Sequence, residues 1–411
     1  MEPIILKRGF ELYKIENYIR EGGYESLRKA IALEPGTIID IVKRSGLRGC
    51  GGAGFPTGTK WGFVPNTPGE KYLCCNGDEG EPGTFKDREI MEEHPHLLIE
   101  GISIASRAIG AAAAYLYVRG EYSKAIERLD TALSDAKERD LLTVDIIIHK
   151  GGGAYICGEE TALLESIEGR RGMPRLRPPF PAVSGLYGKP TVINNVETLS
   201  YVPRIILNGP ENFAAPGKNK SRGHKIFSVS GHVRQPGNYE TTFGVTLREL
   251  IYEYAGGIRD DKRLKAVIPG GASAAILTDE QLDISMDFES LTEAGTMLGS
   301  GGVIVMDEDT CMVRAASVLS RFFCHESCSK CTPCREGTYW LNTVINRIEN
   351  GEGVPGDVET LERVCSRMAG RCFCALGEAA INPVLSTIKH FRKEYDFHIN
   401  EGHCSAGGSA W

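Results

Sequence analysis

The chain has 411 residues and a formal net charge of −7, with 41% hydrophobic and 25% charged residues. That length exceeds one ordinary domain, and the balance suits a globular protein with ample core. The acidic charge excludes a general nucleic-acid binder, which needs a basic surface to neutralise phosphate. The longest apolar run, Ala108 to Val118, lies between Arg107 and Arg119 and is too short to span a bilayer, so no direct membrane insertion is expected. The opening "MEPIILKRGF" lacks the basic and apolar regions of a secretory signal, which points to the cytoplasm. In that setting thirteen cysteines indicate metal or redox use rather than a disulfide framework. The tail 405–411, "SAGGSAW", reads as linker and tag and carries no fold information.

Residues 1–48 read as a helical lead-in, with Thr37 as an N-cap and Gly46 as a stop. "GCGGAGFPTGTKW" follows, with Gly49, Gly51 and Gly54 in a literal G-x-G-x-x-G. The dinucleotide fingerprint needs a strand before it and a helix after it, and neither reading fits here. A backbone loop lying close to a phosphate or a flat ring fits better, with Phe55, Trp61 and Phe63 as stacking faces and Lys60 as a cation. From Lys71 to Lys150 the pattern alternates. "YLCCN", "AAYLYVRG" and "VDIIIHKG" are strands, separated by helices over Asp87 to Gly110 and Glu121 to Arg139, which implies parallel βαβ units.

Two loops sit at the carboxyl ends of these strands, where open α/β sheets bind ligands. "CCNGDEGEPGTFKDR" concentrates Asn76, Asp78, Glu79 and Glu81 in a loop stiffened by Gly and Pro. "GGGAYICGEETALLESIEG" places Gly158 before a helix opening with Glu159 and Glu160, whose N-terminus could receive a phosphate or simply be complemented by the acids. Beyond about Gly217 short strands and turns dominate to Asp307, with one helix at "TLRELIYEYAGG", as in a small α+β domain. From Thr310 four amphipathic helices joined by short loops suggest a bundle.

The bundle carries "ESCSKCTPCREG", in which Cys328, Cys331 and Cys334 follow one another at three-residue steps. Three thiolates from one loop cap one side of a cubane iron–sulfur cluster, and the fourth must come from elsewhere. "GRCFCALGE" offers both Cys372 and Cys374. A zinc site would show two separated pairs at ligand spacing, and no second pair exists. Cys324 reads as the buried end of a helix, and Cys50, Cys74, Cys75, Cys157, Cys311, Cys365 and Cys404 read as packing residues.

Taken together, "RGCGGAGFPTGTKW", "NGDEGEPGTFKDR", "AYICGEETALLESIEGRRG", "RPPFPAVSGLYGKPTVINNVETL" and "ESCSKCTPCREG…CALGEAAINP" resemble the flavin-containing, NADH-oxidising subunit of respiratory complex I, called the F subunit in bacteria, from about Gly23 to Asn400. Diaphorase subunits of NAD-linked hydrogenases and formate dehydrogenases belong to the same family and supply the alternative function. The resemblance implies FMN, NAD(H) and a [4Fe–4S] cluster. It implies a Rossmann-like α/β flavin domain over 1–217, a ubiquitin-like α+β domain over 218–307 and a C-terminal four-helix bundle over 308–404. It also implies two partners, a [2Fe–2S] thioredoxin-like subunit and a large iron–sulfur subunit, through which the chain would sit on the cytoplasmic side of the inner membrane.

By motif position the resemblance puts FMN contacts on Gly49, Gly51, Gly52, Lys60, Asn76, Asp78, Tyr155, Gly158, Glu159, Asn194, Asn195 and Thr198. It puts nicotinamide-nucleotide contacts on Phe55, Phe63, Glu79, Glu81, Glu160, Arg177 and Phe180, with Glu79 and Glu160 positioning the nicotinamide and no side chain acting as acid or base. The fourth cluster ligand falls on Cys374. Cys50 stands where the family usually has Arg, which leaves one charge near the flavin in question, and Arg177 stands where Lys is common. A cleft lined by Glu79, Glu81 and Glu160 would repel a 2′-phosphate and so favour NADH over NADPH.

Overall fold

A computed structural model describes residues 3–64 and 69–404; the expected linker at 405–411 lies outside the described residues. The lead-in is helical, but its main helix, α1 (Pro35–Arg44), starts earlier than Thr37 would have it. Glu34 is the N-cap and Pro35 takes the first position, where a missing N–H costs nothing. Gly46 does stop it, at φ +68°. The buried carboxylate of Glu100 pins the two preceding short helices to the domain. It accepts hydrogen bonds from the backbone N–H groups of Tyr24 and Leu27, both at 3.0 Å, and from the Tyr18 and Ser26 hydroxyls.

The α/β unit begins with β1 (Tyr72–Gly77). The long helix expected next is two, α2 (Lys86–Glu93) and α3 (Pro95–Ile109), because Pro95 cannot continue the first and instead opens the second. Then come β2 (Ala113–Arg119), α4 (Ser123–Glu138), β3 (Asp145–Gly151), α5 (Glu160–Ile167), β4 (Thr191–Asn195) and α6 (Val196–Asn208). All pairings are parallel, in the order β3-β2-β1-β4. The chain steps outward from β1 to β3, then returns to the other side of β1. That reversal is a topological switch point between β1 and β4, and the Rossmann-like crevice lies at their carboxyl ends. The five-residue β4, "TVINN", is short and runs straight into α6, so local pattern alone hides it.

The second sheet holds β5 (His224–Gly231), β6 (Gly237–Thr242), β7 (Leu264–Ile268) and β8 (Gly302–Asp307) in the order β6-β5-β8-β7. β5 and β8 are parallel at its centre, and the outer pairings are antiparallel, the mixed sheet of a ubiquitin-like unit. β7 had no clear signal in the sequence. The bundle comprises α7 (Met312–Glu326), α8 (Thr332–Glu349), α9 (Asp357–Met368) and α10 (Ala375–Glu401). α8 opens with Pro333 in its first turn, so Cys334 is anchored on a helix rather than in a loop.

Candidate functional site

The crevice is built from the ends of β1 and β4, where Asn76 lies in register with Asn195 and Cys75 with Asn194. Each asparagine is held. Asn76 Nδ2 donates to the Gly158 carbonyl at 2.9 Å and its Oδ1 accepts from Asp78 N–H at 3.0 Å. Asn194 Oδ1 accepts from Trp61 Nε1 at 2.8 Å. Trp61 is therefore a fully buried brace and not a stacking face. Asn195 caps α6, taking Glu197 N–H at 3.0 Å, while its Nδ2 donates to Asp87 at 2.6 Å.

The glycine loop is laid across this crevice and fixed there. Gly49 N–H donates to the Phe55 carbonyl at 2.9 Å, and Cys50 N–H donates to Thr198 Oγ1 at 2.8 Å. A Cβ on Gly51 would come within 3.1 Å of Asn195, and Gly54, at φ +62°, packs on the Phe288 ring. Gly52, at φ +141°, faces open space. Cys50 is buried, and burial pushes its thiol up to about 12. Glu197, Lys225 and Lys86 lie within electrostatic reach of it.

These three belong to a buried ion cluster that the sequence did not reveal. Glu197 Oε2 meets Lys86 Nζ at 2.9 Å and Lys225 Nζ at 2.6 Å, and Lys86 meets Asp87 at 2.7 Å. It joins α2, α6 and β5, and through Asp87 it orients Asn195. Burial this deep is decided by packing; "FKDR" and "NNVET" read as ordinary polar stretches.

Asp78 differs from its neighbours. Both carboxylate oxygens are buried without a hydrogen-bond partner, and burial pushes the carboxyl up to about 7, with Arg119 opposing only in part. A buried acceptor pair at a switch point fits a ligand rich in hydroxyl donors, such as the ribityl chain of FMN. Gly158 stands beside it, where a Cβ would meet the Asp78 carbonyl at 3.3 Å.

Glu79 and Glu81 are not free to line an open nucleotide cleft. Glu79 accepts from the N–H groups of Asp87 and Arg88 at 2.8 and 2.9 Å, capping α2. Glu81 accepts from Ser273 N–H at 2.7 Å and from the Tyr155 hydroxyl at 2.7 Å. Likewise Glu159 caps α5, accepting from Thr161 and Ala162 N–H at 2.9 Å each. Its carboxylate already fills the place offered to a phosphate. Nearer the surface Glu160 bridges Lys60 at 3.0 Å and Arg177 at 2.8 Å; the rings of Phe55, Phe63 and Phe180 are exposed, the first two 5.9 Å apart.

The structure brings Cys328, Cys331, Cys334 and Cys374 to one largely apolar pocket, also lined by Ile156, Pro174 and Phe373. Cys372 does not line it; its thiol turns to the Met368 carbonyl at 3.5 Å. Among the described residues no three of the four pocket thiols converge closely enough to hold a single ion. A cubane, with thiolates outside its corners, needs that wider spread. The pocket touches the flavin side of the molecule through the turn Tyr155–Gly158. Tyr155 N–H donates to Glu326 at 3.0 Å, just ahead of the cysteine loop, and its ring packs on Phe322 at 5.1 Å.

Comparisons with known proteins agree with this division. The Nuo51 FMN-binding domain matches residues 42–204, an SLBB domain 225–305, and the NADH-ubiquinone oxidoreductase-F iron–sulfur binding region 314–398. The NADH-quinone oxidoreductase F 2 subunit of Rhizobium meliloti (strain 1021) is 53% identical over 98% of this chain and 99% of its own length. The F subunit of the same enzyme in Mycobacterium tuberculosis (strain ATCC 25618 / H37Rv) is 51% identical over 95% of this chain and 90% of its own. Among solved structures, an NAD⁺-reducing [NiFe]-hydrogenase in the H₂-reduced state superposes with a TM-score of 0.85 at 40% identity over 92% of this chain. This chain spans 65% of that hydrogenase chain's length. With a crevice at the β1/β4 switch point, a four-cysteine pocket beside it and relatives matched nearly end to end, the chain belongs to the NADH-quinone oxidoreductase F-subunit family.

Proposed function

We propose that this chain is the NADH dehydrogenase subunit of an NADH-quinone oxidoreductase. It oxidises NADH at a flavin site and passes electrons singly to a [4Fe–4S] cluster and on toward quinone. One observation carries this reading. In the turn Tyr155–Gly158, Ile156 lines the cysteine pocket while the Gly158 carbonyl is bound by Asn76 in the crevice. At a rise near 2 Å per residue, roughly 4 Å of backbone separates the two contacts. FMN, when bound, accepts a hydride and can release electrons one at a time, the conversion that a cluster-linked NADH oxidase requires.

The protein's own task is binding and orientation. Asp78, Asn76, Asn194 and Asn195 would hold the flavin against the glycine loop, with Thr198 fixing that loop through Cys50 N–H. Lys60 and Arg177 would exchange Glu160 for the nucleotide's diphosphate, and Phe55, Phe63 and Phe180 would cover its rings. Glu79, Glu81 and Glu159 act from behind, as caps and braces. Cys328, Cys331, Cys334 and Cys374 would ligate the cluster. We take the domain limits as 1–217, 218–307 and 308–404, a reading supported by the change from one sheet to the other and then to the bundle. Partner subunits of the complex, a [2Fe–2S] thioredoxin-like one and a large iron–sulfur one, would take the electrons onward. Those partners would hold the chain at the cytoplasmic face of the inner membrane; among the described residues no helix is long and apolar enough to cross a membrane.

Protein purified anaerobically should carry one FMN and about four irons per chain and reduce ferricyanide with NADH. A preparation with iron in place but no flavin, and none taken up on adding FMN, would overturn the reading. Co-purification from the source distinguishes it from the diaphorase alternative by the identity of the partners.

A further inference from the structure

At the end of the bundle opposite the cysteine pocket, three side chains converge. Cys311 caps the start of α7, His398 lies in the last turn of α10, and Cys404 follows shortly after that helix ends. Their ligand atoms all lie within 4.8 Å of one another. The Cys311 Sγ to His398 Nε2 distance is 3.3 Å. For bonds of about 2.3 Å to sulfur and about 2.05 Å to nitrogen, the edge of a tetrahedral zinc site is about 3.5 Å. His398 is buried, and its other ring nitrogen, Nδ1, faces Glu349 at 3.9 Å.

We propose that Cys311, His398 and Cys404 form a zinc site, with solvent at the fourth vertex. Two thiolates and a neutral imidazole bring Zn²⁺ to zero net charge, so a half-enclosed site carries no unpaired ion. Soft sulfur with imidazole, and no carboxylate among the protein ligands, selects zinc over magnesium or calcium. The ion would clamp the chain after α10 to the start of α7, the junction where β8 hands over to the bundle. The fifteen residues of α7 separate this site from the cysteine loop by about 22 Å, so the two metal sites are independent.

The test is metal analysis of the intact, cluster-loaded protein. It is reduced, treated with one equivalent of Zn²⁺, gel-filtered, and assayed for zinc and iron together. About one zinc per chain should be retained alongside about four irons. Cys404→Ser and His398→Gln should each lower retained zinc below about 0.2 per chain with iron and flavin unchanged. Cys404 lies outside any helix, so its variant reads the site even if His398→Gln folds poorly. Wild-type zinc below that level, zinc equal in wild type and variants, zinc bound only in iron-depleted protein, or a Cys311–Cys404 disulfide persisting after reduction would each overturn the proposal.

Discussion

Glu197→Gln tests the buried cluster that holds the flavin crevice together. Glu197 and Lys225 are 0% exposed, and Glu197 accepts from Lys225 at 2.6 Å, Lys86 at 2.9 Å and Ile226 N–H at 2.7 Å. Together Lys86, Lys225, Asp87 and Glu197 sum to zero charge; the substitution leaves +1 in the interior. Lys86 keeps Asp87, but Lys225 is left with only the Ile226 carbonyl at 2.8 Å. Breaking a buried pair from one side costs about 3–5 kcal/mol, and glutamine's remaining acceptor puts the cost near the lower end, about 3 kcal/mol. For a cooperative unit of 150–250 residues that lowers Tm by roughly 6–12 °C. Because Asp87 holds Asn195, FMN affinity should fall as well.

The double variant Glu197→Gln/Lys225→Met removes the stranded charge and should regain at least about 1 kcal/mol over the sum of the single effects. The pH dependence has a definite sign. Burial alone would raise the Glu197 carboxyl, but Lys225 and Lys86 more than reverse it, leaving it below its ordinary value of 4.5. Its stabilisation is therefore complete above pH 4.5 and fades as pH falls through the lowered value, where wild type and Glu197→Gln should converge. Thermal unfolding followed by circular dichroism across roughly pH 3–8 reads all of this. A single variant within about 0.5 kcal/mol of wild type at pH 7, or strictly additive effects, would refute the reasoning.

Asp78→Asn should stabilise flavin-free protein above pH 7, by at most about 4 kcal/mol, because a carboxyl moved from 3.8 to about 7 costs the fold its ionisation over that interval. Urea unfolding at about pH 5 and pH 8 checks this, and the same variant should bind FMN more weakly by fluorescence titration. Cys374→Ser should abolish the reduced-cluster EPR signal while flavin stays bound, whereas Cys372→Ser should retain both; equal losses would remove the basis for the ligand choice. Arg177→Ala should raise KM for NADH by roughly tenfold to a hundredfold with little change in kcat, since it contributes a charged contact away from the reacting ring; stopped-flow reduction separates the two. Glu160 bridges Lys60 and Arg177 at the proposed nucleotide site, and Glu160→Gln should narrow discrimination against NADPH in the ferricyanide assay.

The sequence by itself determined the class of the chemistry. Cys328, Cys331 and Cys334 lie within one short stretch of sequence, and the glycine loop and "NGDEGEPG" are local motifs whose chemistry needs no distant partner to be recognised. The βαβ alternation and the bundle were legible for the same reason, since hydrophobic period is a property of neighbouring residues. Tertiary structure decided what depends on contacts far apart in the chain. It set β4 beside β1 and so located the crevice, and it engaged the Glu79 and Glu81 carboxylates with the start of α2 and with Ser273. It also buried Lys86, Glu197 and Lys225 as one ion cluster and brought Cys311 to His398, 87 residues away. Each of these outcomes is an exchange of water for a specific neighbour, and which neighbour arrives is settled by the packing of the whole fold.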